Sequence, residues 1–154
     1  MLRPVVLLGA LVALVLVGSI TPVAGTATAI VVTDADGTEL LAVPVADGEE
    51  VTIEYVHSVE RSLVSDVYVV DDGAFVAERM LFSSYGAGLP SEASVTRVGD
   101  RYVYHPPAER FETLTISTGP IASHELVVDG TRYELAGLTE DGAVQLRIET
   151  RRGG

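Results

Sequence analysis

Five Asp-Gly pairs punctuate the chain, at 36–37, 47–48, 72–73, 129–130 and 141–142, and Gly99-Asp100 adds a related turn. A two-residue type I′ turn needs positive φ at both central positions, and Asp-Gly supplies this readily. Between these pairs lie runs rich in Val, Ile, Thr, Tyr and Phe, the residues that suit a pleated, half-buried strand. The runs are Ile30–Thr33, Glu39–Val43, Val51–Val59, Leu63–Val70, Ala74–Ser84, Ser94–Val98, Arg101–Tyr104, Glu112–Ser117, His124–Val128, Thr131–Leu135 and Ala143–Glu149. Strands at such spacing predict an all-β fold, an antiparallel sandwich or barrel of about ten short strands. Two longer loops interrupt the pattern, Gly86-Ala87-Gly88-Leu89-Pro90 and His105-Pro106-Pro107-Ala108-Glu109.

One segment reads differently. Val5 to Ile20 is apolar apart from Gly9, Gly18 and Ser19, and follows a lone Arg3. A helix over Val5–Ala24 would rise about 30 Å, enough to cross a bilayer, with Pro22 in its last turn. The positive end stays inside, so the chain beyond it is expected outside the membrane. Ala27-Thr28-Ala29 also offers a small-residue cleavage motif, so a signal peptide fits as well as an anchor. The expected organisation is an N-terminal hydrophobic helix within 1–29, an extracytoplasmic β domain over 30–150, and a disordered tail at 151–154. The domain is expected at the cell membrane on a single span, or secreted if the segment is cleaved.

Composition removes several chemistries. The chain has no Cys, which excludes disulfides, thiolate metal sites and cysteine nucleophiles. It has 22 Asp and Glu against 10 basic residues in 154, a formal net charge of −12. Every basic residue is Arg; Lys and Asn do not occur. Such a surface repels nucleic acid, so none is expected as a partner, and it stays soluble in concentrated salt, as in a halophilic organism. No cofactor is implied, and a metal is left open.

The candidate chemistry centres on Glu54-Tyr55-Val56-His57-Ser58-Val59-Glu60-Arg61. On a strand, Val51, Ile53, Tyr55, His57 and Val59 share one face, and Glu54, Ser58 and Glu60 share the other. His57 and Ser58 therefore point apart, which disfavours a nucleophile–base pair. A turn at Asp72-Gly73 would set Asp71 opposite Ala74, Asp66 opposite Arg79 as a salt bridge, and Val67 opposite Glu78. Glu78 then falls on an apolar face with Val76, Met80 and Phe82. With a hairpin near Arg61, His57 would oppose Ser65 and lie diagonally across from Glu78. A His–carboxylate pair of that kind could bind a metal, work as acid and base, or be a structural pair. His124 would join it only if the fold brought its strand back against His57. Asp34-Ala35-Asp36-Gly37 resembles the start of a calcium loop but lacks the later ligands, and reads as a turn.

Residues 54–90 resemble a family of small exported proteins of unknown function, encoded beside TRAP-type transporters of the TAXI class. The resemblance rests on Tyr55-Val56-His57-Ser58-Val59-Glu60, Asp66-Val67-Tyr68, Glu78 and Gly86-Ala87-Gly88-Leu89-Pro90, with a weaker echo at His124-Glu125-Leu126. It implies an N-terminal hydrophobic segment, an extracytoplasmic β domain and a link to uptake of small organic solutes, with no established activity. The transporter permease or its solute-binding protein is then the expected partner. The Gly86–Pro90 loop is a natural recognition surface, because loops on rigid β scaffolds often carry recognition. Two other functions stay open: a metal-dependent or acid/base enzyme using His57, Glu60, Glu78 and His124, and a structural envelope protein.

Overall fold

The computed structural model of the protein describes residues 26–84, 95–119, 121–140 and 142–152. The expected hydrophobic helix and the Gly86–Pro90 loop both lie outside these residues. Twelve strands occur among them. In chain order they are β1 (Thr26–Thr33), β2 (Glu39–Pro44), β3 (Glu50–Val56), β4 (Leu63–Asp71), β5 (Ala74–Phe82) and β6 (Val95–Val98). The rest are β7 (Arg101–Tyr104), β8 (Arg110–Phe111), β9 (Thr113–Ser117), β10 (Glu125–Val128), β11 (Thr131–Glu134) and β12 (Ala143–Arg152).

The strands form two antiparallel sheets. One has four strands in the order β2-β1-β12-β9; the other runs β11-β10-β3-β4-β5-β7-β6, with β8 also paired to β5. Alternation along each strand turns one face of each sheet inward. Ile30, Val32, Val43, Leu114, Val144 and Leu146 of the smaller sheet meet Val51, Ile53, Val70, Phe75, Leu126 and Val128 of the larger in one buried core. Each such side chain contributes roughly 1.5–3 kcal/mol over its exposed state, so strand register is strongly specified. A second cluster packs Val64 and Phe82 with Tyr55, Met80, Val95, Tyr102 and Tyr104 at one end of the larger sheet.

The Asp-Gly pairs divide by use. Asp72 and Gly73 have φ of 43° and 76°, and Asp129 and Gly130 have 47° and 73°. These are the left-handed pairs of type I′ hairpins, and they join β4 to β5 and β10 to β11. Asp47-Gly48 instead carries the chain from one sheet to the other. There the Gly48 N–H donates to the Val70 carbonyl at 2.7 Å and the Asp72 N–H to Asp47 Oδ1 at 2.8 Å. At Asp34 the carboxylate accepts from the Asp36 and Thr38 amides at 3.0 and 2.8 Å, so this oxygen holds the β1–β2 turn.

Both domain edges move outward from the sequence expectation. β1 starts at Thr26, and Ala27, Thr28 and Ala29 pair with Arg151, Thr150 and Glu149 of β12. The cleavage motif thus lies inside a strand. At the other end Arg151 and Arg152 complete β12 instead of beginning a tail.

A bulge in β5 corrects the expected register. Asp71 does oppose Ala74, but Tyr68 pairs with Ala77 and Val67 with Arg79, leaving Glu78 as an extra residue. Asp66 consequently opposes Met80, and Arg79 instead forms a two-pronged ion pair with Glu50, both contacts at 2.7 Å. The bulge also reverses side-chain alternation, so Val76 no longer shares a face with Met80 and Phe82, and Glu78 is exposed.

Candidate functional site

β3 and β4 pair so that Tyr55 opposes Val64 and Ile53 opposes Asp66. Val64, Asp66, Tyr68 and Val70 then share the inward face of β4. Asp66 is the one carboxylate in that row, set between the two apolar clusters. Its carboxyl accepts a hydrogen bond from the Tyr55 hydroxyl, while Oδ1 is closed off from solvent and has no partner. Burial raises the Asp66 pKa to about 6, and the Tyr55 bond opposes that rise. Burial also raises Tyr55 above the ordinary phenol range and Tyr68 to about 12, with the Asp66 charge adding to both.

His124 completes the group. β10 pairs with β3 with Glu125 opposite Glu54, which places His124 beside Tyr55. The two rings stack with centroids 5.1 Å apart at 28°. Ser123, at φ 44°, turns the chain just before it, and the Leu135 N–H fixes the His124 carbonyl at 2.9 Å. The imidazole Nδ1 is buried without a partner, and burial lowers the His124 pKa, favouring the neutral ring.

These side chains line a recess of about 340 Å³ between the sheets, formed by Ile53, Tyr55, Asp66, Tyr68 and His124 on one side and Leu114–Ser117 of β9 on the other. Asp66 and Tyr68 also border an apolar pocket of about 170 Å³ with Met80, Tyr104, Pro106, Glu109 and Phe111. Asp66 and Tyr68 therefore border both the recess and this second pocket.

The other sequence candidates lie apart. His57 follows the end of β3 and pairs through its N–H with the Ser62 carbonyl at 2.9 Å, so it opposes Ser62 and not Ser65. Its Nδ1 accepts the Glu60 N–H at 3.3 Å, which fixes the ring in the hairpin turn. Ser58 is exposed in that turn, and Glu60 accepts from the Ser84 hydroxyl at 3.0 Å. Glu78, on the β5 bulge, is about five residues along the sheet from this tip, roughly 18 Å at the rise of a strand. The expected His57–Glu78 pair is not formed. His124 does return against β3, but it meets Tyr55. Among the described residues no three His, Asp or Glu side chains are grouped to hold a metal. Tyr55 and Tyr68 were not foreseen as site residues; the signal was their place in the period-two rows that contain Ile53 and Asp66.

The family described as a domain of unknown function (DUF1850) matches residues 51–135, more than half of the chain. The matched stretch holds Tyr55, Asp66, Tyr68, His124 and the β9 wall of the recess. No curated protein and no solved structure matches the chain.

Proposed function

Because the chain belongs to the DUF1850 family of domains of unknown function, we propose that it is an extracytoplasmic accessory domain of a TRAP-type transporter of the TAXI class, binding a small ligand in the recess over Asp66. The carrying observation is the Asp66 carboxyl itself, inward-facing, with one buried oxygen unpaired and an aromatic wall around it. A buried unpaired acceptor lowers stability, and a ligand that donates to it would recover that loss. The resemblance in residues 54–90 supplies the transporter context.

The anchor reading draws support from β1. Cleavage after Ala29 would remove four residues that pair with β12, so an uncut segment running into Thr26 preserves the sheet. Thr26 meets Arg152 at one end of β12, whereas the recess lies by Ser117, opposite Ala143 at the other end. Nine residues of strand separate them, roughly 30 Å. An anchored domain would hold its recess away from the bilayer, within reach of a soluble solute-binding protein.

Affinity co-purification of the tagged full-length protein from gently solubilised membranes tests the association. Recovery of the permease or the solute-binding protein with the wild type supports this function. Recovery of the protein alone, from membranes that contain the transporter, overturns it.

A further inference from the structure

We infer that the recess between β3, β4, β10 and β9 recognises an organic cation, an alkylammonium group seated on Asp66 against the rings of Tyr55, Tyr68 and His124. This inference rests on reading the recess as a ligand site and names the ligand's chemistry.

The argument is one of complementarity. Two side chains that line the recess, Asp66 and His124, each carry a buried acceptor-capable atom without a partner, Oδ1 and, in the Nε2-protonated tautomer, Nδ1. An ammonium group brings three donors and no acceptor, which matches a lining whose unpartnered groups are acceptors. The aromatic faces add cation–π attraction, which grows as the cation is desolvated. Among the described residues no Arg lines the recess, and the nearby Arg79 is held by both carboxylate oxygens of Glu50. An anionic ligand would meet Asp66 with no compensating charge, and the chain's net charge of −12 opposes it further. Ile53, Leu114 and Ile116 offer apolar surface to an alkyl chain.

The groups facing Asp66 set the pH dependence. They are Tyr55 from β3, Tyr68 from β4, Met80 from β5 and His124 ahead of β10, with Arg79, Tyr104 and Glu109 lining the second pocket that Asp66 borders. β9 contributes no charge there. Protonating Asp66 removes the anion that holds the ligand, and protonating His124 adds a repelling charge. Both act in one direction, so cation binding weakens on acidification.

The test is titration of the full-length protein in nonionic detergent with n-butylammonium, 1-butanol and butyrate, followed by calorimetry and by the NMR signals of Tyr55, Tyr68 and His124. The expected result is binding of n-butylammonium at pH 8, about ten-fold weaker at pH 5 and in Asp66→Asn, with butanol and butyrate also at least about ten-fold weaker. Butyrate or butanol binding as tightly as the cation, or full affinity in Asp66→Asn, overturns the cation inference and leaves the ligand site standing. No response of the three rings to any probe overturns the ligand site itself.

Discussion

Tyr55 and Asp66 are diagonal neighbours on adjacent antiparallel strands, and the tyrosine hydroxyl donates to the aspartate carboxyl inside the sandwich. This bond offsets only part of the desolvation, since Asp66 still titrates near 6 against an ordinary 3.8. A carboxyl raised in the folded state binds its proton more tightly there than in the unfolded chain. Its contribution to stability is therefore complete below about 3.8 and is lost as pH rises through about 6. Replacing it by the neutral isostere should relieve that loss. Asp66→Asn is expected to be more stable than the wild type at pH 8 by about 1–2 kcal/mol, a figure reduced for partial exposure. Near pH 4 the two should coincide. Urea denaturation at both pH values measures this, and an Asp66→Asn protein less stable at pH 8 would contradict it.

The same bond makes Tyr55→Phe informative. The ring stays, so the stack on His124 at 5.1 Å is kept while the hydroxyl is lost. Since that hydroxyl lowers the Asp66 pKa, the Asp66 carboxyl carbon should titrate higher in Tyr55→Phe than in the wild type when followed by NMR. Stability should fall by about 1–2 kcal/mol, as expected for a buried hydrogen bond to a charged acceptor. An unchanged titration would show that burial alone sets the Asp66 pKa.

Much of this fold was readable because its signals are local. Asp72-Gly73 and Asp129-Gly130 dictate their turns through backbone sterics, and the runs beside them alternate cleanly. β8 escaped notice because two residues, Arg110 and Phe111, carry no period. The site was less legible, for one physical reason. A bulge is a single extra residue that sequence alternation cannot register, and at Glu78 it moved every β4–β5 pairing from Val67 back to Val64 by one place. Asp66 was a candidate for the wrong partner, and Glu78 was assigned to the wrong face. His124 meets Tyr55 only because β10 lies beside β3, a long-range pairing that no local pattern encodes.

Truncation can test where the domain begins. Removing residues 1–25 leaves all of β1 in place, whereas removing 1–29 deletes four residues that pair with β12, and with them the Thr28 carbonyl that accepts the Val45 N–H at 3.0 Å. At about 1 kcal/mol for each backbone bond lost net of hydration, the shorter chain should lose roughly 2–3 kcal/mol. Thermal unfolding of the two truncated proteins should then differ by about 10 °C. Equal melting temperatures would place the working edge of the domain after Ala29 and restore the cleavage motif as a plausible processing site.

Deletion scanning in β5 tests the bulge directly. Removing Glu78 takes away the unpaired residue and leaves Ala77 opposite Tyr68 and Arg79 opposite Val67. Inward and outward faces are preserved, so the protein should stay folded with a loss of about 1–2 kcal/mol from local straightening. Removing Ala77 instead closes the bulge by drawing Glu78 into the place opposite Tyr68, on the inward face beside Phe75 and Phe111. A second carboxylate there has no Arg to meet and lies near Asp66, so this deletion should cost about 3 kcal/mol or more at neutral pH. Urea denaturation of the two deletion proteins at pH 8 separates the cases, and equal stability of both would refute the bulge at Glu78.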